Sequence, residues 1–167
     1  MKRTIAVFIA TALLLALTAG TARAASLVGT EGPDTIFGTD AGDLIQGLGG
    51  GDALHGLEGK DGIYGGSGAD LIRGGPGADD PGFDIGPFVP GLYGSFGDDR
   101  IEGNGGGDLI VGGAGADLLL GGAGDDSIGD PGPGAIDRIH CGPGEDFVEA
   151  SPNDVVGADC ERVDRAL

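Results

Sequence analysis

Basic residues are scarce in this 167-residue chain, where nine Lys and Arg stand against 27 Asp and Glu. Phosphate backbones are held by Lys and Arg, so this balance excludes a nucleic-acid binder and argues equally against an anionic membrane surface. Histidine is nearly absent, with only His55 and His140, and neither a His-Glu-x-x-His helix motif nor a Gly-x-Ser-x-Gly elbow occurs. These gaps remove the zinc-protease and serine-hydrolase arrangements, and no active site is expected. The two cysteines, Cys141 and Cys160, have no Cys-x-x-Cys spacing and no histidine cluster nearby, which leaves no basis for a thiolate metal site or a reactive pair. Long apolar runs are missing as well, apart from Ile5 to Leu17, which is too short to span a bilayer comfortably.

That run follows Lys2 and Arg3 and precedes the small-x-small triplet Ala22-Arg23-Ala24, the pattern of a cleaved secretory signal over residues 1–24. Removing it takes away three basic residues and leaves a mature chain of 143 residues with a formal charge of −21. Membrane insertion after cleavage is not expected, and the chain is read as secreted and extracellular. So acidic a chain invites cations, and its Asp carboxylates are hard oxygen ligands suited to Ca²⁺.

What the chain does contain is a nine-residue period. Blocks beginning at Gly29, Gly38, Gly47, Gly56, Gly65 and Gly74 put Asp34, Asp43, Asp52, Asp61, Asp70 and Asp79 at the sixth position. Five of them put Ile36, Ile45, Leu54, Ile63 or Ile72 at the eighth. After an excess of eleven residues over about 80–90, blocks at Gly94, Gly103, Gly112 and Gly121 resume with Asp99, Asp108, Asp117 and Asp126 and with Ile101, Ile110, Leu119 and Ile128. Leu92 stands as the delayed core residue. Gly and Pro together exceed a quarter of the chain, a composition that by itself describes a disordered segment. A disordered chain has no reason to hold an aliphatic residue two positions after each Asp, whereas a packed repeat does. Glycine at every third position, the mark of collagen, is also missing.

Each block divides into a glycine-dense turn of six residues and a strand of three. Within a strand, neighbours face opposite ways, so the aliphatic eighth residue points inward, and Gln46, His55, Tyr64, Arg73, Glu102 and His140 at the ninth point outward. Two blocks make one turn of a flattened helix, with parallel strands stacked about 4.8 Å apart. Residue i then lies beside residue i+18. Stacked ionised carboxylates repel, and a divalent cation between turns removes that repulsion.

The residues resemble the RTX, or hemolysin-type, calcium-binding repeat, Gly-Gly-x-Gly-x-Asp-x-hydrophobe-x, in its strict turn form at Gly65 to Asp70, Gly74 to Asp79, Gly112 to Asp117 and Gly121 to Asp126. The resemblance covers roughly residues 29–148 and implies an all-β, right-handed parallel β-roll, a two-sheet solenoid with several Ca²⁺ ions between its turns. Its implied ligands are Asp34, Asp43, Asp52, Asp61, Asp70, Asp79, Asp99, Asp108, Asp117 and Asp126, with Asp137 and Asp146 where the spacing drifts, together with turn carbonyls. Thr30, Thr39, Leu48, Leu57, Ser95 and Asn104 replace the second glycine and Ala41 a fourth, so strain or weak binding is expected there. The pairs Asp70 with Asp99 and Asp79 with Asp108 straddle the insertion and are expected to be the least secure calcium sites, and binding is expected to weaken first there and after Asp126.

The expected organisation is a signal over 1–24, a roll over 25–148 and a C-terminal cap over 149–167 in which Cys141 and Cys160 form a disulfide between neighbouring coils. The insertion carries Asp80, Phe83, Asp84, Phe88 and Val89, which form either a contact surface for an extracellular or cell-surface partner or an excursion folded back onto the roll. The leading functional expectation is a stand-alone calcium-binding module whose folding is driven by Ca²⁺. The alternative is an RTX enzyme or toxin, or the accessory part of one; the repeats begin five residues after the expected cleavage site, which leaves no room for an effector ahead of them.

Overall fold

A computed structural model describes residues 23–79, 90–130 and 135–165. Most of the expected signal and nearly all of the insertion lie outside the described residues. Fifteen strands run through the remainder: β1 Ser26–Val28, β2 Thr35–Phe37, β3 Leu44–Gly49, β4 Ala53–His55, β5 Gly62–Ser67, β6 Leu71–Pro76, β7 Gly91–Phe96 and β8 Arg100–Gly105. They continue with β9 Leu109–Ala114, β10 Leu118–Ala123, β11 Ser127–Asp130, β12 Arg138–His140, β13 Phe147–Ala150, β14 Val155–Val156 and β15 Arg162–Arg165. Odd-numbered strands form one parallel sheet of eight and even-numbered strands a second of seven, so the chain alternates between sheets at every turn. The result is a parallel two-sheet β-solenoid of about seven coils.

Between the sheets runs a column one side chain wide. Ile45, Ile63, Leu92, Ile110 and Val148 from one sheet and Leu54, Ile72, Ile101, Leu119 and Ile139 from the other are all fully buried. The aliphatic eighth position is therefore the inward one, and Leu92 takes the place expected of it. Most strands are longer than the three residues that the turn and strand chemistry implies. Six-residue strands such as β5 carry the ladder on through the first three positions of the next block, where Gly66 pairs with Leu48 and Ser67 with Gly49.

Register survives every irregularity in spacing. Ile63 pairs with Leu92, 29 residues on, where Ile45 and Ile63 are separated by 18. Outward contacts span the same break on both faces: Tyr64 and Tyr93 stack at 4.8 Å between centroids, and Arg73 pairs with Glu102 at 2.7 Å. Leu119 pairs with Ile139 and Ile128 with Val148, so register is kept across the drift after Asp126. The segment expected as a cap over 149–167 extends both sheets, since β14 and β15 add in parallel to β12 and β13. Cys141 and Cys160 are joined there, with Cα atoms 5.2 Å apart on neighbouring coils.

Strain falls at four of the six positions where the second glycine is replaced. Leu48, Leu57, Ser95 and Asn104 hold φ between 79° and 85°, the left-handed region that a Cβ disfavours. Thr30 and Thr39 are not among the positive-φ residues, and their turns close in another way, described below. Leu48 and Leu57 are about two-fifths exposed, so little packing repays their strain. Leu48→Gly and Leu57→Gly should each raise stability by about 1 kcal/mol, the relief of left-handed strain less the added freedom of the unfolded chain. Leu119→Ala should cost about 2–5 kcal/mol. Denaturant midpoints at saturating calcium measure all three, and destabilisation by both glycine substitutions would refute the strain reading.

Candidate metal centre

Both edges of the solenoid carry a continuous file of carboxylates. On one edge the backbone N–H of Asp34 donates to Asp52 Oδ1, Asp52 to Asp70, Asp70 to Asp99, Asp99 to Asp117 and Asp117 to Asp137, at 2.7–2.9 Å. The other edge repeats the arrangement through Asp43, Asp61, Asp79, Asp108, Asp126 and Asp146, at 2.8–2.9 Å. All twelve expected Asp residues thus stand in two files, and each pairs with the residue one coil away. Asp70 with Asp99 and Asp79 with Asp108 are as short as the rest, so the rungs on either side of the insertion stand in register.

From Asp52 and Asp61 onward, one oxygen of each carboxylate is settled by that N–H. The second is not: Oδ2 of Asp52, Asp61, Asp70, Asp79, Asp99, Asp117, Asp126 and Asp146 is buried and accepts no hydrogen bond among the described residues. A buried acceptor without a partner carries a cost of about 1–3 kcal/mol, more when charged. Eight such atoms in a protein with so narrow a core point to a missing positive partner.

The first-position glycines show where that partner would sit. A methyl group on Gly47 would collide with Asp52 Oδ2 of its own block and with the Gly65 carbonyl oxygen of the next coil. Gly56 faces Asp61 Oδ2 and Gly74 O in the same manner, and Gly94 faces Asp99 Oδ2 and Gly112 O. These glycines are not in the left-handed region, unlike Gly66 and Gly68 at φ 111° and 131°. The repeat therefore needs glycine for two reasons: backbone freedom at the second and fourth positions, and room for converging oxygens at the first.

The ends of the files differ from their interior. Asp34 Oδ2 accepts from Thr30 N–H at 2.6 Å and lies 2.9 Å from the Thr30 hydroxyl. Asp43 is held likewise by the Thr39 N–H and hydroxyl. Sequence reasoning missed Asp154 and Glu161, which continue the files by accepting from Asp137 N–H at 3.2 Å and Asp146 N–H at 3.1 Å. Asp154 Oδ2 is closed by Ser151 N–H at 2.7 Å. Spacing alone does not mark these closures in the sequence, since Ser67 and Ser95 precede Asp70 and Asp99 at the same distances and leave their Oδ2 atoms without a partner among the described residues. Asp130, also missed, lies close to Asp117 and Asp137.

Burial pushes the interior carboxyls upward. Asp61 and Asp117 rise from 3.8 to about 6, and Asp79, Asp99 and Asp126 to about 7; the backbone N–H bond lowers each, and the neighbouring carboxylates raise it again. Desolvation likewise raises Asp52, Asp70 and Asp137.

A family model described as the RTX calcium-binding nonapeptide repeat (4 copies) matches residues 20–53, 28–63, 46–80 and 93–128, together more than half of the chain. A search of curated proteins returns no match.

The raised carboxyls set the behaviour of the metal-free fold. Groups whose folded pKa exceeds the unfolded one favour folding when protonated, so their contribution is full below about pH 4 and is lost as pH rises through 6 to 7. In excess chelator, the strand signal in circular dichroism should be stronger at pH 5 than at pH 8, the reverse of ordinary acid denaturation. A metal-free chain with more strand at pH 8 than at pH 5 would contradict this.

Proposed function

The chain belongs to the RTX calcium-binding nonapeptide repeat family, and from that premise we propose that it is a secreted β-roll in which Ca²⁺ between consecutive coils drives the folding of a structural or binding module. The observation that carries this reading is the row of buried Oδ2 atoms without partners among the described residues, all but that of Asp146 set against a first-position glycine and, on most coils, the carbonyl of the next coil. Hard oxygens from carboxylates and carbonyls, in a site with some freedom of geometry, suit Ca²⁺. When bound, the ion supplies the positive charge that stacked carboxylates require.

Asp52, Asp61, Asp70, Asp79, Asp99, Asp108, Asp117 and Asp126 are the proposed principal ligands, with Asp137 and Asp146 continuing the two files. Asp34 and Asp43, already engaged by Thr30 and Thr39, close the first coil and place the least demand on an ion. Coupling of folding to metal follows from the core: one aliphatic side chain per strand does not offset the ordering of a chain rich in glycine and acid. The two histidines lie on outward ninth positions, the ladder carboxylates have structural places, and the proposal includes no catalytic step. Export is supported by the signal-like start over 1–24 and by the disulfide, a bond that persists in oxidising compartments. A partner at the cell surface or in the medium belongs to the same proposal.

Circular dichroism at pH 8 should show strand structure with millimolar Ca²⁺ and its loss in excess chelator. Calorimetric titration should count several ions per chain. Mg²⁺ at the same concentration should restore little, since it demands a tighter octahedron and gives up its water reluctantly. Equal strand content with Ca²⁺ and with chelator would sink the coupling.

A further inference from the structure

Where the repeat calls for a first-position glycine after the block at Gly121, the chain has Asp130. On the coils before it, the carbonyl of the next first-position glycine faces the preceding one, as Gly65 O faces Gly47 and Gly112 O faces Gly94. At Gly112 that place is taken by a side-chain oxygen: Asp130 Oδ2 lies 2.5 Å from where a Cβ would stand, and Asp117 Oδ2 lies at the same distance. One carboxylate oxygen from each of Asp117, Asp130 and Asp137 falls within 4.8 Å of the other two. All three residues are at most 2% exposed, and Asp117 Oδ2, aimed into this space, accepts no hydrogen bond. Among the described residues no Lys or Arg pairs with Asp117 or Asp137.

We propose that Asp130 turns the join between Asp117 and Asp137 into a three-carboxylate calcium site, the tightest on the roll and the last to release its ion. The proposal rests on the calcium reading above and goes beyond it, because the site departs from the repeat. Replacing a neutral carbonyl by a carboxylate adds a full negative charge to a set of hard oxygens, and Ca²⁺ affinity rises with ligand charge and site rigidity. Oxygens held at 2.3–2.6 Å from one Ca²⁺ lie no more than about 5 Å apart, which accommodates the spacing of the three. The consequence reverses the expectation drawn from sequence. Drift in the repeat after Asp126 strengthens cation binding on this edge instead of weakening it.

Dialysis of the calcium-saturated chain against a graded series of calcium buffers, with retained calcium measured by atomic emission, tests this directly. The native chain should keep one ion per molecule at free calcium about tenfold below the level that empties the others. Asp130→Gly restores the residue of the repeat, and Asp130→Asn keeps the shape and an oxygen but drops the charge. Both should lose the retained ion while their circular dichroism at saturating calcium matches the native chain, which keeps misfolding apart from loss of the site. A single class of ions in the native chain, or a retained ion that survives Asp130→Gly, overturns the proposal while leaving calcium binding in place. No calcium bound by any of the three proteins overturns the calcium reading itself.

Discussion

Every interior coil of this solenoid must bury two carboxylates, one at each edge, and the rest of the structure follows from how they are accommodated. The backbone N–H of one Asp satisfies Oδ1 of the Asp one coil on, a bond that continues the parallel strand ladders into the turns. The other oxygen is left facing a space too small for a side chain and lined with oxygen. The same contact that stacks the coils thereby creates a demand for positive charge at every interior rung. Structure and cation binding are two consequences of one constraint.

The ends show the same constraint met by other means. At the N-terminal end Thr30 and Thr39 turn hydroxyls and amides onto Asp34 and Asp43, and near the C-terminal end the Ser151 amide donates to Asp154. There too the Cys141–Cys160 disulfide fastens neighbouring coils covalently, closing a loop of a size associated with about 3 kcal/mol in the chain-entropy account. Hydroxyl, amide and disulfide at the ends and oxygen cradles in the interior divide the roll into rungs closed by the protein's own groups and rungs whose Oδ2 atoms face other oxygens.

Much of this was legible from the residues. The nine-residue period identified the inward aliphatic column, the outward ninth positions, the edge-alternating files of Asp and the neighbour at i+18, because a repeat of one carboxylate and one hydrophobe in fixed phase has few packed solutions. Less legible were the places where spacing departs from 18. Ile63 finds Leu92, Leu119 finds Ile139 and Asp137 finds Asp154 at separations of 29, 20 and 17 residues, since lateral pairing of strands, not chain distance, selects partners. Glu161 and Asp130 escaped notice for a related reason: one is the wrong residue type for the motif, and the other stands where glycine belongs.

From sequence alone came the repeat unit, the alternation of edges, the demand for hard cations and the glycine turns, all of which depend on local conformation and on a period of fixed phase. Tertiary structure alone decided which irregular spacings keep register, why the first glycine is needed for room and the second for backbone freedom, and that Asp130 enters the file between Asp117 and Asp137. Those outcomes depend on what the next coil places against each residue, and a linear pattern does not contain the coil above it.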